Sequence, residues 1–139
     1  MRKIVVTYLV STLGRTGPTN QLLNLVSRLD RSCFVARIVT ISTEPNDSRI
    51  SDFQKLDIPV ITLKHSRLGS ICLGPASLSR ILERNRTDIL HSQGIRADFL
   101  NSLSRQPCTR ISTQRNDPFQ DYPKLFGTIA GSIAARTHK

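Results

Sequence analysis

The feature that most constrains this chain is an alternation repeated along it: a short unbroken apolar run, a polar turn, then a segment whose apolar residues recur at helical spacing. Residues 4–9 form the first such run. It is nearly continuous rather than alternating, as expected of a strand covered by helices on both faces. Parallel neighbours need crossover connections, so strands separated by helices specify an α/β fold with a doubly wound parallel sheet.

The remaining elements follow in order. Residues 11–18 read as a turn, and Thr19 or Asn20 is suited to cap a helix carrying Leu22, Leu23, Val26 and Leu29. Residues 34–42 predict a second strand, followed by a Pro-Asn-Asp turn and a short helix from Asp47 or Ser48 with Ile50, Phe53 and Leu56 on one face. Residues 59–63 predict a third strand. Gly69, Gly74 and Pro75 make residues 64–75 read as loop, ahead of a helix over 77–85 packed through Leu78, Ile81 and Leu82. Residues 88–91 predict a fourth strand, 95–104 a helix with Phe99, Leu100 and Leu103 inward, 109–113 a fifth strand, and 122–135 a last helix built on Leu125, Phe126, Ile129 and Ile133. The expected strand order is 3-2-1-4-5, with the fifth strand at an edge.

With 139 residues, no Trp, five Phe and two Tyr, a single core must come mostly from Ile, Leu and Val. The formal charge of +10 is scattered, with no run of four basic residues; it suits anionic partners such as phosphate, lipid headgroups or nucleic acid, or is simply a solvated surface, and a nucleic-acid partner is not expected. Cys33, Cys72 and Cys108 are odd in number and far apart, which argues against a disulfide framework or a metal site and fits a reducing cytoplasm. Met1-Arg2-Lys3 and the apolar run after it imitate a signal peptide, but the run is short, contains Thr7 and Tyr8, and leads to no Ala-x-Ala. No window approaches the roughly 18 apolar residues of a membrane span.

Ligands of such sheets bind beyond the carboxyl ends of the strands, which selects three turns. In the first, Gly14 and Gly17 precede a helix, where backbone N–H groups can approach an anion; a plain strand-to-helix turn explains them equally well. The turn matches neither Gly-x-Gly-x-x-Gly nor Gly-Lys-Ser/Thr, and Glu44 follows the second strand too late to hold a ribose in the usual way. In the second turn, His91 leaves a strand toward the cleft and can bond a sugar hydroxyl or act as a base, or simply pack. In the third, Arg115 can meet an anion, while Asn116 and Asp117 can cap the following helix.

Three separated segments, Gly17-Pro-Thr-Asn-Gln-Leu-Leu-Asn-Leu, Asp88-Ile-Leu-His-Ser-Gln-Gly-Ile-Arg-Ala-Asp and Thr113-Gln-Arg-Asn-Asp-Pro-Phe-Gln-Asp-Tyr, occur in the order found in family 4 glycosyltransferases. Together they resemble the N-terminal domain of that family, with the nearest likeness to bacterial enzymes of capsule and surface-polysaccharide synthesis. The resemblance implies a GT-B architecture of two Rossmann-like domains, and sugar transfer with retention and without a metal or other cofactor. It makes residues 1–139 the acceptor-side domain and a nucleotide-diphosphate sugar the donor substrate. His91 would lie beside the transferred sugar as the catalytic-site histidine. Gly14, Gly17 and Thr19 would form the loop near the donor phosphates, and Arg115 and Asn116 an acceptor-side loop. Where the family often has two adjacent glycines, this chain has Gly17-Pro18.

The family's second domain has no counterpart here, so the chain is expected to be a truncated piece that does not turn over substrate alone. Its acceptor would be a glycan or a lipid-linked sugar, in the cytoplasm, with peripheral contact to an anionic membrane as an option. Two other readings stay open: an inactive remnant, and a free-standing nucleotide-binding module of Rossmann type.

Overall fold

A computed structural model describes residues 2–113 and Gly127. Five parallel strands form one sheet in the order β3-β2-β1-β4-β5, so the doubly wound α/β architecture and its strand order are as the sequence predicts. The strands are β1 (Ile4–Val10), β2 (Phe34–Thr40), β3 (Val60–Thr62), β4 (Ile89–Gln93) and β5 (Thr109–Thr113). The helices are α1 (Gly17–Ser27), α2 (Ile50–Gln54), α3 (Arg67–Cys72), α4 (Gly74–Arg84) and α5 (Ile95–Leu103). The helix expected over residues 122–135 lies outside the described residues.

Successive side chains of a strand point to opposite faces, and β1 uses both. Val6, Tyr8 and Val10 pack with Leu22 and Val26 of α1 and Phe53 of α2, whereas Leu9 packs with Leu78 and Leu82 of α4 and Ala97 and Leu100 of α5. Each such leucine contributes about 1.5–3 kcal/mol by leaving water, so the unbroken apolar run is what two covered faces require. β5 is the outer strand among those described, and its Ile111 is exposed.

Two local readings are corrected. Residues 64–75 are not a loop, because they hold α3 and the start of α4. Ser66 caps α3 by accepting from the Gly69 N–H at 3.1 Å, and Pro75 sits in the first turn of α4, where a missing N–H costs nothing. The cap of α1 is Thr16 rather than Thr19 or Asn20, with its hydroxyl facing the Thr19 N–H at 3.5 Å and the Thr19 hydroxyl at 3.1 Å. The Gly-Pro pairs mark helix starts, not breaks.

The glycines at those two starts differ in kind. A Cβ on Gly74 would come 2.8 Å from Leu100 Cδ1, whereas one on Gly17 would meet nothing among the described residues within 4 Å. Leu100 is buried and cannot swing into solvent. Gly74→Ala should therefore destabilise the domain by about 1–3 kcal/mol through overpacking. Gly17→Ala should be neutral or stabilise by up to about 1 kcal/mol through the unfolded chain. Urea unfolding of both variants checks this; equal effects would contradict the close α4–α5 approach.

Candidate functional site: the strand ends beside β1 and β4

The strand order turns at β1, whose chain leaves for α1 on one face while neighbouring β4 leaves for α5 on the other. A crevice therefore opens between the two turns, at the carboxyl ends of the strands. The β4–α5 turn is a single residue, Gly94, with φ of 92°. That left-handed conformation calls for glycine; among the described residues a Cβ there would touch nothing within 4 Å.

The floor is the last row of paired residues. Thr62, Thr40, Val10, Gln93 and Thr113 face one another across all five strands. Apart from Val10 this row is polar and uncharged, and the Thr40 hydroxyl donates to that of Thr62 at 3.0 Å. Among the described residues the buried Gln93 Oε1 atom has no hydrogen-bond partner. An unsatisfied buried acceptor costs about 1–3 kcal/mol, and of the acceptors in this state, which include Glu44 Oε1 and Asn101 Oδ1, that of Gln93 belongs to the floor row.

His91 lies one row lower on the same face, half-buried, paired in the sheet with Tyr8 and Ile111. Its Nε2 is 2.7 Å from the Thr113 hydroxyl, and its ring lies 5.3 Å from that of Tyr8 at an angle of 43°. Burial pushes the imidazole below its ordinary pKa, and the negative charge of Asp98 opposes part of that shift. The neutral form is thus the one this site favours.

The β1–α1 turn is held from the side by the turn after β2. The Leu13 N–H donates to Glu44 Oε2 at 2.9 Å, Ser48 donates to the same oxygen at 2.6 Å, and the Arg49 N–H donates to the Leu13 carbonyl at 2.8 Å. Arg49 also bonds Asn20 of α1 and Asp52. Gly14 fits tightly here, since a Cβ would come 3.3 Å from Pro45. Glu44 therefore acts as a brace for the turn.

Of the residues singled out in the sequence, Gly14, Gly17, Thr19 and His91 are brought to this end of the sheet, although in different states. Gly17 is exposed at the first position of α1, while Gly14 is buried and Thr19 is buried in the Thr16 cap. His91 is drawn back against Thr113 rather than standing at the strand tip. Arg115 and Asn116 lie outside the described residues. Sequence reasoning missed Gln93, although its spacing of two from His91 already put both on one face of β4.

It also missed a buried polar cluster on the opposite face. Asp98 of α5 accepts from the Ser92 and Ser112 hydroxyls, each at 2.6 Å, and Asn101 donates to Ser92 at 2.8 Å. At the other end of the strands, a hollow of about 230 Å³ is lined by Lys3, Val26, Leu29, Arg31, Phe34 and Ile58 among others. Among the described residues no helix is long and apolar enough to cross a membrane, and no three His, Cys, Asp or Glu side chains gather as a metal would need. Comparison of the chain with protein-family models, curated proteins and solved structures finds no match.

The His91 environment predicts a pH dependence. A histidine whose folded pKa is depressed binds its proton more readily unfolded, so its contribution is present above the ordinary value of 6.5 and is lost as pH falls below it. The hydrogen bonds that hold the Asp30 and Asp52 carboxyls down act in a separate window, below 3.8. Urea unfolding of the native chain should weaken from pH 7 to pH 5, and His91→Gln should flatten that limb. An identical slope in the variant would show that His91 is not its source.

Proposed function

We propose that this chain is the acceptor-side Rossmann-like domain of a retaining glycosyltransferase of GT-B architecture. Its partner domain would hold a nucleotide-diphosphate sugar, and the sugar would pass to a glycan or lipid-linked acceptor at the cytoplasmic side of a membrane. Support comes first from the three ordered segments, two of which, around Gly17 and around His91, border the same crevice.

The chemistry of the strand ends favours a sugar over a charged ligand. Gln93, Thr113, Thr40 and a histidine kept neutral offer uncharged donors and acceptors, and the orphaned Gln93 Oε1 suits a hydroxyl proton. In this reading Gln93 accepts from a sugar hydroxyl and His91 with Thr113 shapes the floor beneath the transferred sugar. The exposed start of α1 at Gly17 and the turn at Gly14 face the donor phosphates, where a helix N-terminus favours negative charge. Thr19 serves this loop from within the cap. Arg115 and Asn116 are assigned to the acceptor side on the resemblance alone. No metal or other cofactor enters this scheme.

The same geometry disfavours a free-standing dinucleotide module. The acidic group nearest the end of β2 is Glu44, whose Oε2 already accepts two hydrogen bonds within the brace. A ribose bonding to that oxygen would have to compete with the brace.

Saturation-transfer NMR on the chain with nucleotide-diphosphate sugars, short glycans and nicotinamide dinucleotides separates these readings. Transfer should appear on sugar protons of a nucleotide sugar or glycan. Gln93→Leu should weaken that binding roughly tenfold, the equivalent of one hydrogen bond to a buried acceptor. Transfer only to a dinucleotide, undiminished in Gln93→Leu, would favour the module instead.

A further inference from the structure

We infer that Asp98 is a positioning residue for the crevice: from the opposite face of the sheet it fixes, through Ser92 and Ser112, the two strand ends that hold His91 against Thr113. The inference deepens the sugar-binding reading and rests on it for its functional meaning.

The geometry is that of a clamp. Ser92 follows His91 in β4, and Ser112 precedes Thr113 in β5. The two serines are paired in the sheet and point to the α5 side, where both donate to the same carboxylate oxygen, Asp98 Oδ1, at 2.6 Å. Asn101, one turn further along α5, donates to the Ser92 hydroxyl, which thereby accepts one bond and gives another. Tying one serine of each strand to a single atom fixes the spacing of the two strand ends. On the other face that spacing is what sets His91 Nε2 at 2.7 Å from the Thr113 hydroxyl.

A carboxylate is a costly choice for a purely mechanical clamp. Asp98 is 3% exposed, and among the described residues no cation pairs with it; Arg110, on the same face of β5, donates to the Ser104 carbonyl instead. Burying an ion without a counter-ion is unfavourable unless hydrogen bonds compensate, and an asparagine would give the serines an acceptor without the charge. What the charge adds is its field, which reaches His91 through the sheet and raises the imidazole's proton affinity against the effect of burial. Among the described residues the other groups against the imidazole are Tyr8 of β1, whose phenol burial raises and which is therefore neutral where His91 titrates, and Thr113 of β5. Among these residues Asp98 is the charged group whose field opposes the effect of burial on this histidine.

The experiment records the His91 ring-nitrogen shifts, which report the Thr113 bond, in the native chain, in Asp98→Asn and in Asp98→Ala, with no ligand added. With the imidazole neutral, asparagine keeps the acceptor for both serines and should leave those shifts close to native, whereas alanine removes it and should change them. Unchanged shifts in folded Asp98→Ala would overturn the inference and leave Asp98 a structural residue. Should that variant fail to fold, Ser112→Ala keeps the carboxylate and removes one arm of the clamp. It should change the His91 ring-nitrogen shifts that report the Thr113 bond, whereas Ser102→Ala, whose hydroxyl donates to Phe99 outside the clamp, should not. Unchanged shifts in Ser112→Ala would likewise overturn it. The readout needs no sugar, so a failure of sugar binding and a failure of the clamp are distinguishable.

Discussion

The pairing of β1 on both edges is the constraint on which the rest depends. β1 takes β2 on one side over seven residues and β4 on the other over five. Because the chain must leave each parallel strand by a crossover, the helices that lead into β2 and β3 cover one face, and those flanking β4 cover the other. Tyr8 and Leu9, adjacent in sequence, consequently belong to different cores. The same arrangement draws the β1–α1 and β4–α5 turns apart and leaves the crevice between them.

What fills that crevice follows from where the apolar rows stop. Lower in the sheet, paired residues such as Val39 and Leu9 are apolar and buried, and at the carboxyl ends the row turns to threonine and glutamine. Hydroxyl and amide groups there offer directional hydrogen bonds without the desolvation cost of a buried charge. Among the described residues the carboxylate of the buried Asp98 sits on the far face, engaged by serines. The proposed nucleotide-sugar reading draws on this combination, with the neutral floor for hydroxyls and the helix start for an anionic group.

Much of this was legible in the sequence. The unbroken apolar runs marked the strands, because two-sided burial leaves a pattern of its own, and the order 3-2-1-4-5 followed from how doubly wound sheets place early and late strands about the first. α3 was not legible, since Gly69 and Gly74-Pro75 look like breakers when read locally. Gly74 answers instead to Leu100, a residue 26 positions away that only tertiary packing brings close. The site was half legible. The turns at Gly14 and His91 were found from strand ends, but Gln93 shows itself only once its oxygen is seen to lack a donor among the described residues. The Asp98 clamp needs two strands and a helix to be assembled before Ser92, Ser112 and Asn101 meet.

The central claim is that the ligand site of this domain is the crevice between the β1 and β4 strand ends. Backbone amide shifts of the isotope-labelled chain, recorded with and without saturating nucleotide-diphosphate sugar, test it most directly. The account predicts the largest changes at residues 13–17 and 93–97, around the two turns. Changes confined to the opposite end of the sheet, at Lys3, Arg31, Phe34 and Ile58 around the amino-end hollow, would contradict it.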